Sequence, residues 1–77
     1  MKHEQKEKME NEMTTLLKSK HSDIRTHVDT LDKKGTINIS FFWDRISNEQ
    51  WNGMKSFRCH INDYPNIIET EILPYFG

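Results

Sequence analysis

A chain of 77 residues with a formal charge of −1 and 34% hydrophobic side chains has material for one small domain, 1–77, and excludes a second core. Its single cysteine, Cys59, excludes an internal disulfide, and the near balance of 11 basic against 12 acidic residues excludes the cationic excess of a dedicated nucleic-acid binder. A lone thiol suits a reducing compartment, so a cytoplasmic location is expected, and the longest apolar run, Phe41-Phe42-Trp43, falls far short of the roughly 20 residues that span a bilayer.

The chain is asymmetric: every aromatic residue follows Gly35. Before it, Met9, Met13, Leu16, Leu17, Ile24, Val28 and Leu31 recur at spacings of three and four with one gap near His21. That period predicts an amphipathic helix over 13–34, ended by Lys33, Lys34 and Gly35, with 1–12 as a frayed or extended helical start. Unbroken from about residue 5 to 33, it would run ~43 Å. Ser19–Asp23 interrupts the stripe and offers Ser22 and Asp23 as N-caps, so two helices broken near residue 20 are the rival reading.

From Thr36 the period becomes two. Ile37, Ile39, Phe41 and Trp43 fall on one face of a strand and Asn38, Ser40 and Phe42 on the other. A second strand over Lys55–Asn62 sets Phe57, Cys59 and Ile61 opposite Ser56, Arg58, His60 and Asn62. Between them, Ser47–Gly53 reads as a helical turn ending at Gly53 or as a long hairpin loop, the Asn52-Gly53 pair favouring a primed turn. After a turn at Asn62–Asn66, the segment Ile67–Leu73 reads as a third strand whose Glu69 and Glu71 share the face of Arg58 and His60. The alternative is a helix with Pro65 in its first turn and Ile68 meeting Ile72. Pro74 is expected to end the element, leaving 74–77 as an aromatic tail.

Assembled, these elements predict an α+β fold: a long N-terminal amphipathic helix on a small antiparallel β-meander of two or three strands within 36–73. A projecting helix and open strand edges would both be relieved by self-association, so a homodimer is expected.

The chemistry-bearing residues make no catalytic set. His21 and His27 stand six apart, on nearly opposite sides of a helix, and Cys59 and His60 are neighbours on a strand, so neither pair converges on a metal or forms a nucleophile–base couple. Glu69 and Glu71 share a face in the strand reading, but so small a core leaves no material for a cleft around them. Phosphate-cradling, zinc-protease and nucleophile-elbow motifs are missing, and no cofactor or metal is expected.

What remains is surface. Phe42 on the polar side of a strand, Trp51 in a loop, and Tyr75 and Phe76 near the end are too many large rings to bury together. The expectation is a non-enzymatic protein-interaction module that inhibits or modulates a partner protein sterically. Phe42, Trp51, Arg58 and His60 are its contact residues, and Glu69 and Glu71 supply charge selectivity. In size and class the plan is similar to that of inhibitors, immunity proteins, antitoxins and phage-encoded host-takeover proteins. The alternative is a small nucleic-acid-binding regulator with Phe42, Arg45, Lys55, Arg58 and His60 on its outer sheet face. It is opposed by the excess of carboxylates over cations between Gly35 and Gly77.

Overall fold

The computed structural model describes residues 2–77. Helix α1 (His3–Leu17) leads into three strands, β1 (Ile24–Thr30), β2 (Thr36–Ser47) and β3 (Gln50–His60), and a C-terminal helix closes the chain. The strands form one antiparallel sheet in the order β1-β2-β3, with β2 central. Both helices lie on the same face. There Met9, Met13 and Leu17 of α1 and Tyr64 and Ile72 of the C-terminal helix join Ile24, Val28, Ile37, Ile39 and Phe41 in a single core. The expected α+β class is thus present, with a sheet of three strands.

Two expected elements are replaced. The helix foreseen over 13–34 ends at Leu17, and its second half is β1. Ile24 and Val28 are four apart, a spacing that fits one helical turn or two strand repeats equally well. The tie is broken by Thr26 and Thr30, which complete a β-branched alternation Ile24-Thr26-Val28-Thr30 suited to a pleated surface and poorly suited to a helix. The Thr14 hydroxyl donates to that of Thr26 at 2.9 Å, fixing this face of β1 beneath α1. The expected break near residue 20 is real, but the chain leaves it as a strand. The helical start expected within 1–12 is present from His3, and the helix's 15 residues extend about 23 Å. No projecting rod exists.

Lys33, Lys34 and Gly35, expected to stop a helix, instead turn the β1–β2 hairpin. Asp32 Oδ1 accepts the backbone N–H groups of Lys34 at 2.9 Å and Thr36 at 3.0 Å. The Thr36 bond foremost, with those of Lys34 and Gly35, holds this carboxyl below its usual range. Gly35 adopts φ 105°, a conformation that strains any side chain.

The second replacement is Ile67–Leu73, which is helical. A 3-10 turn at Ile61–Asp63 passes into α-helix over Tyr64–Ile67, widens to a π turn over Ile68–Ile72 and resumes as α-helix over Leu73–Phe76. Pro65 sits in its first α turn and Pro74 explains the widening. Proline has no N–H to give the Thr70 carbonyl and its ring crowds that oxygen, so the Leu73 N–H reaches back five residues to Ile68. Pro74 therefore deforms the helix without ending it, and Tyr75 and Phe76 belong to its last turn. Their rings meet Trp43, Phe41 and Phe57 edge-on at 5.1–6.4 Å, capping one end of the core.

The β2–β3 hairpin turns at Asn48-Glu49, with Ser47 opposite Gln50 and a bulge between Arg45 and Ser47. Asn52-Gly53, expected at the turn, lies inside β3, where Gly53 pairs with Trp43 and the indole rests directly on its Cα. A methyl group on residue 53 would fall within the Trp43 ring system. Gly53→Ala is therefore expected to destabilise the fold by about 1–3 kcal/mol through overpacking, measured as a lower urea midpoint at constant m-value.

Tyr64 is 9% exposed and its hydroxyl meets no hydrogen-bond partner. Burial first, then the Glu12 carboxylate, pushes this phenol up from 10.0 to about 12. Between those values the unfolded chain loses a proton that the folded one keeps, so stability is full below pH 10 and declines as pH rises toward 12. Tyr64→Phe is expected to remove that contribution to the alkaline decline and to leave stability at pH 7 equal or slightly higher, which urea titrations at both pH values would measure.

Candidate functional site

With both helices on one face, the other face of the sheet is bare. Alternation directs Arg25, His27 and Asp29 of β1, Asn38, Ser40 and Phe42 of β2, and Met54, Ser56 and Arg58 of β3 toward it. Its middle is a polar ladder. Asn38 Nδ2 donates to Ser40 Oγ at 3.0 Å, and Ser40 Oγ lies 3.1 Å from Ser56 Oγ, which satisfies the one buried polar residue of the sheet. Toward the β2–β3 turn the surface becomes apolar and aromatic. Phe42 lies across from Met54, which is 64% exposed, and the Trp51 ring comes within 6.1 Å of the Phe42 ring. The Arg45 guanidinium sits over the indole at 4.8 Å, and Ile46 beside it is 66% exposed. Asp44, in a left-handed conformation with φ 57°, and the bulge beyond it re-aim this end of β2.

All arginines of the chain belong to this surface: Arg25 at one edge, Arg58 at the other and Arg45 over Trp51. Among the described residues none of the three pairs with a carboxylate. The histidines, by contrast, are engaged. His27 lies with Nε2 2.9 Å from Asp29 and Nδ1 3.4 Å from Glu10 of α1. His21 stacks on Trp43 at 5.2 Å and is turned toward Asp44, far from the His27 carboxylates in the fold.

The expected contact residues divide into three groups. Phe42 and Trp51 come together, and Arg58 shares their side of the sheet about four residues along β3, roughly 13 Å away. His60 closes the far end. Its Nδ1 accepts the Asn62 N–H at 3.1 Å, so the proton is on Nε2, which donates to the Lys34 carbonyl at 2.7 Å against Gly35. This imidazole latches the end of β3 to the β1–β2 turn. Glu69 and Glu71 are exposed on the C-terminal helix, in the opposite layer; their foreseen pairing with Arg58 and His60 depended on a third strand and does not form. Arg25 was missed because its segment read as helix. Met54 was missed because exposed methionine in a strand has no sequence signature, and Ile46 because it lies at the bulge between Arg45 and Ser47, which alternation does not foretell.

Cys59 faces the core side beside Ile37 and is a half-buried thiol. Burial foremost, with Asp63 and Glu71 adding to it, pushes its pKa up, so the reactive thiolate is disfavoured at neutral pH. A concavity of about 460 Å³ between α1 and β1 is walled by Glu10, Asn11, Thr14, Lys18, Asp23 and Arg25. Among the described residues no set of three or more His, Cys, Asp and Glu side chains is arranged to hold a metal ion, and no helix is long and apolar enough to cross a membrane.

Comparison with protein-family models, with curated proteins and with solved structures finds no match.

The thiol environment has a measurable consequence. At pH 7 Cys59 is expected to react with a disulfide reagent at least about tenfold more slowly than in the urea-unfolded chain, and an equal rate in both states would contradict the burial described.

Proposed function

We propose that this chain is a small non-enzymatic interaction module that binds a partner protein through its bare sheet face and modulates that partner by occupying a surface. The observation that carries the reading is the cluster of Phe42, Trp51, Met54 and Arg45 on a face that neither helix covers. Aromatic rings, methionine and arginine are the side chains that anchor interfaces, because they bring large area or many donors at low entropic cost. A monomer has no packing use for them on a solvated face. Three arginines without carboxylate partners favour an acidic partner surface, since guanidinium accepts carboxylates in a bidentate fork. Glu69 and Glu71, on the opposite layer, contribute nothing to selectivity at this face.

The test is a comparison of variants that fold alike. Trp51→Ala and Phe42→Ala are expected to weaken binding to a partner captured by the wild-type chain by about 30-fold or more, as anchor truncations do, whereas Glu69→Gln leaves it unchanged. Equal affinity for all of them, measured by calorimetry with that partner, would remove this face from the interaction.

A second reading draws on the same arginines. Single-stranded nucleic acid could stack bases on Phe42 and Trp51 with phosphates at Arg25, Arg45 and Arg58. The carboxylates that opposed this reading in the sequence are partly displaced from the face, with Asp63, Glu69 and Glu71 on the C-terminal segment. It requires binding to a uridine or thymidine oligonucleotide that weakens steeply with salt and with Arg58→Ala; a flat titration at low salt dismisses it.

A further inference from the structure

The two edges of the sheet are treated differently by the chain. On β1 the Val28 N–H points away from β2 and is taken by Glu10 Oε2 of α1 at 2.8 Å. Because the Val28 backbone groups point away from β2, its partner Ile39 turns its own N–H and C=O toward β3, and the ladder alternates from there. The Leu31 N–H to Thr36 carbonyl bond at 2.9 Å and the Ile61 N–H to Gly35 carbonyl bond at 2.8 Å fix the same phase. In that phase Gly53, Lys55, Phe57 and Cys59 bond to β2, while the backbone groups of Met54, Ser56 and Arg58 point outward from the free edge of β3. Among the described residues no side chain or loop bonds to the backbone of these three, and the C-terminal helix returns over the core face without covering them.

An unpaired edge is normally blunted by proline, a bulge, a covering element or charged side chains, lysine above all. β3 contains no proline, and its irregularity is confined to the turn end, opposite Arg45 and Ser47. The edge from Gly53 to Cys59 is therefore regular in its backbone and guarded by charge alone. Its charge has one sign: between Gln50 and His60 there are Lys55 and Arg58 and no carboxylate, and neither cation is in an ion pair among the described residues. Lys55 lies over the Phe57 and Tyr75 rings on the core side and Arg58 projects on the bare side, so an added strand would meet a cation on each face. A second copy of β3 would bring only the same two cations.

We infer that an extended acidic segment of the partner protein adds to β3 as a fourth strand, bonding to the outward backbone of Met54, Ser56 and Arg58, with its carboxylates beside Arg58 and Lys55. This rests on the interaction reading above and specifies how the partner engages. Main-chain bonds supply affinity in such strand addition, and the flanking side chains supply choice. A strand seated there also extends the sheet face carrying Met54 and Arg58.

The experiment uses the full chain and a capped peptide of about eight valine and glutamate residues in which adjacent glutamates set a carboxylate on each face of the strand, with its valine–lysine counterpart as control. Amide exchange is followed by nuclear magnetic resonance. The acidic peptide is expected to slow exchange at Met54, Ser56 and Arg58 by about tenfold or more, and the basic one to have no effect. Lys55→Glu with Arg58→Glu is expected to invert that preference. Ser56→Pro, which removes an outward N–H and the hydroxyl contact with Ser40 but no backbone bond to β2, is expected to abolish protection at Met54 and Arg58 while unfolding remains cooperative. If Ser56→Pro fails to fold, the charge inversion decides. Unchanged exchange at the three amides overturns the proposal. So does their protection in the free protein together with a dimeric mass by sedimentation, which would assign the edge to a second copy. Loss of partner binding in Trp51→Ala but not in Ser56→Pro would also overturn the edge while leaving the face reading intact.

Discussion

The structure depends on one constraint: this chain can cover only one face of its sheet. Ile37, Ile39 and Phe41 of the central strand are fully buried, and they are the common floor on which Met9, Met13 and Leu17 descend from one side and Tyr64 and Ile72 from the other. A fully buried side chain of this kind stabilises a fold by about 1.5–3 kcal/mol, and a small domain needs nearly all of them together to exceed its conformational entropy. No apolar element is left for the second face. Its solvation follows from the size of the chain, and so does the prominence of any large ring found there.

That constraint also explains the care taken at the rim of the core. Trp43 covers Gly53 with its indole, Phe76 and Tyr75 close over Trp43, and His21 stacks on its other side. At the opposite end His60 donates to the Lys34 carbonyl and Asp32 gathers the backbone of the β1–β2 turn. Polar side chains at this end do locally what packing does elsewhere. The glutamate of α1 that accepts the Val28 N–H is part of the same pattern, since it engages the β1 edge while tying helix to strand. The β3 edge and the bare face are without such closure, and they adjoin one another at Met54 and Arg58.

The parts of this architecture that were legible in the sequence are those where period and side-chain type agree. Ile37-Ile39-Phe41-Trp43 could be nothing but a strand face, and Phe57 and Cys59 aligned with it as read. Ile24-Thr26-Val28-Thr30 was misread because threonine counts as polar in a hydrophobic pattern while acting as a strand former in a pleat. Ile67–Leu73 could satisfy either period, and the helix prevailed because Tyr64, Ile68 and Ile72 then share one stripe that drops onto the exposed core beside Ile61 and Phe57. The strand alternative would have left that part of the core open to water.

For the candidate site the division is similar. The α+β class, the turning of Phe42 away from Phe41 and the placing of Arg58 on the same side are legible in the residues, because alternation along a strand is a local property. The meeting of Trp51 with Phe42, the joining of Arg25 to the face, the drawing of His60 into a turn and the placing of Glu69 and Glu71 in the other layer come from the packing of the whole chain. Those outcomes depend on which strand lies beside which and in what register. Register is chosen by how the whole apolar face packs beneath the helices, a sum over distant residues that no local window of the chain contains.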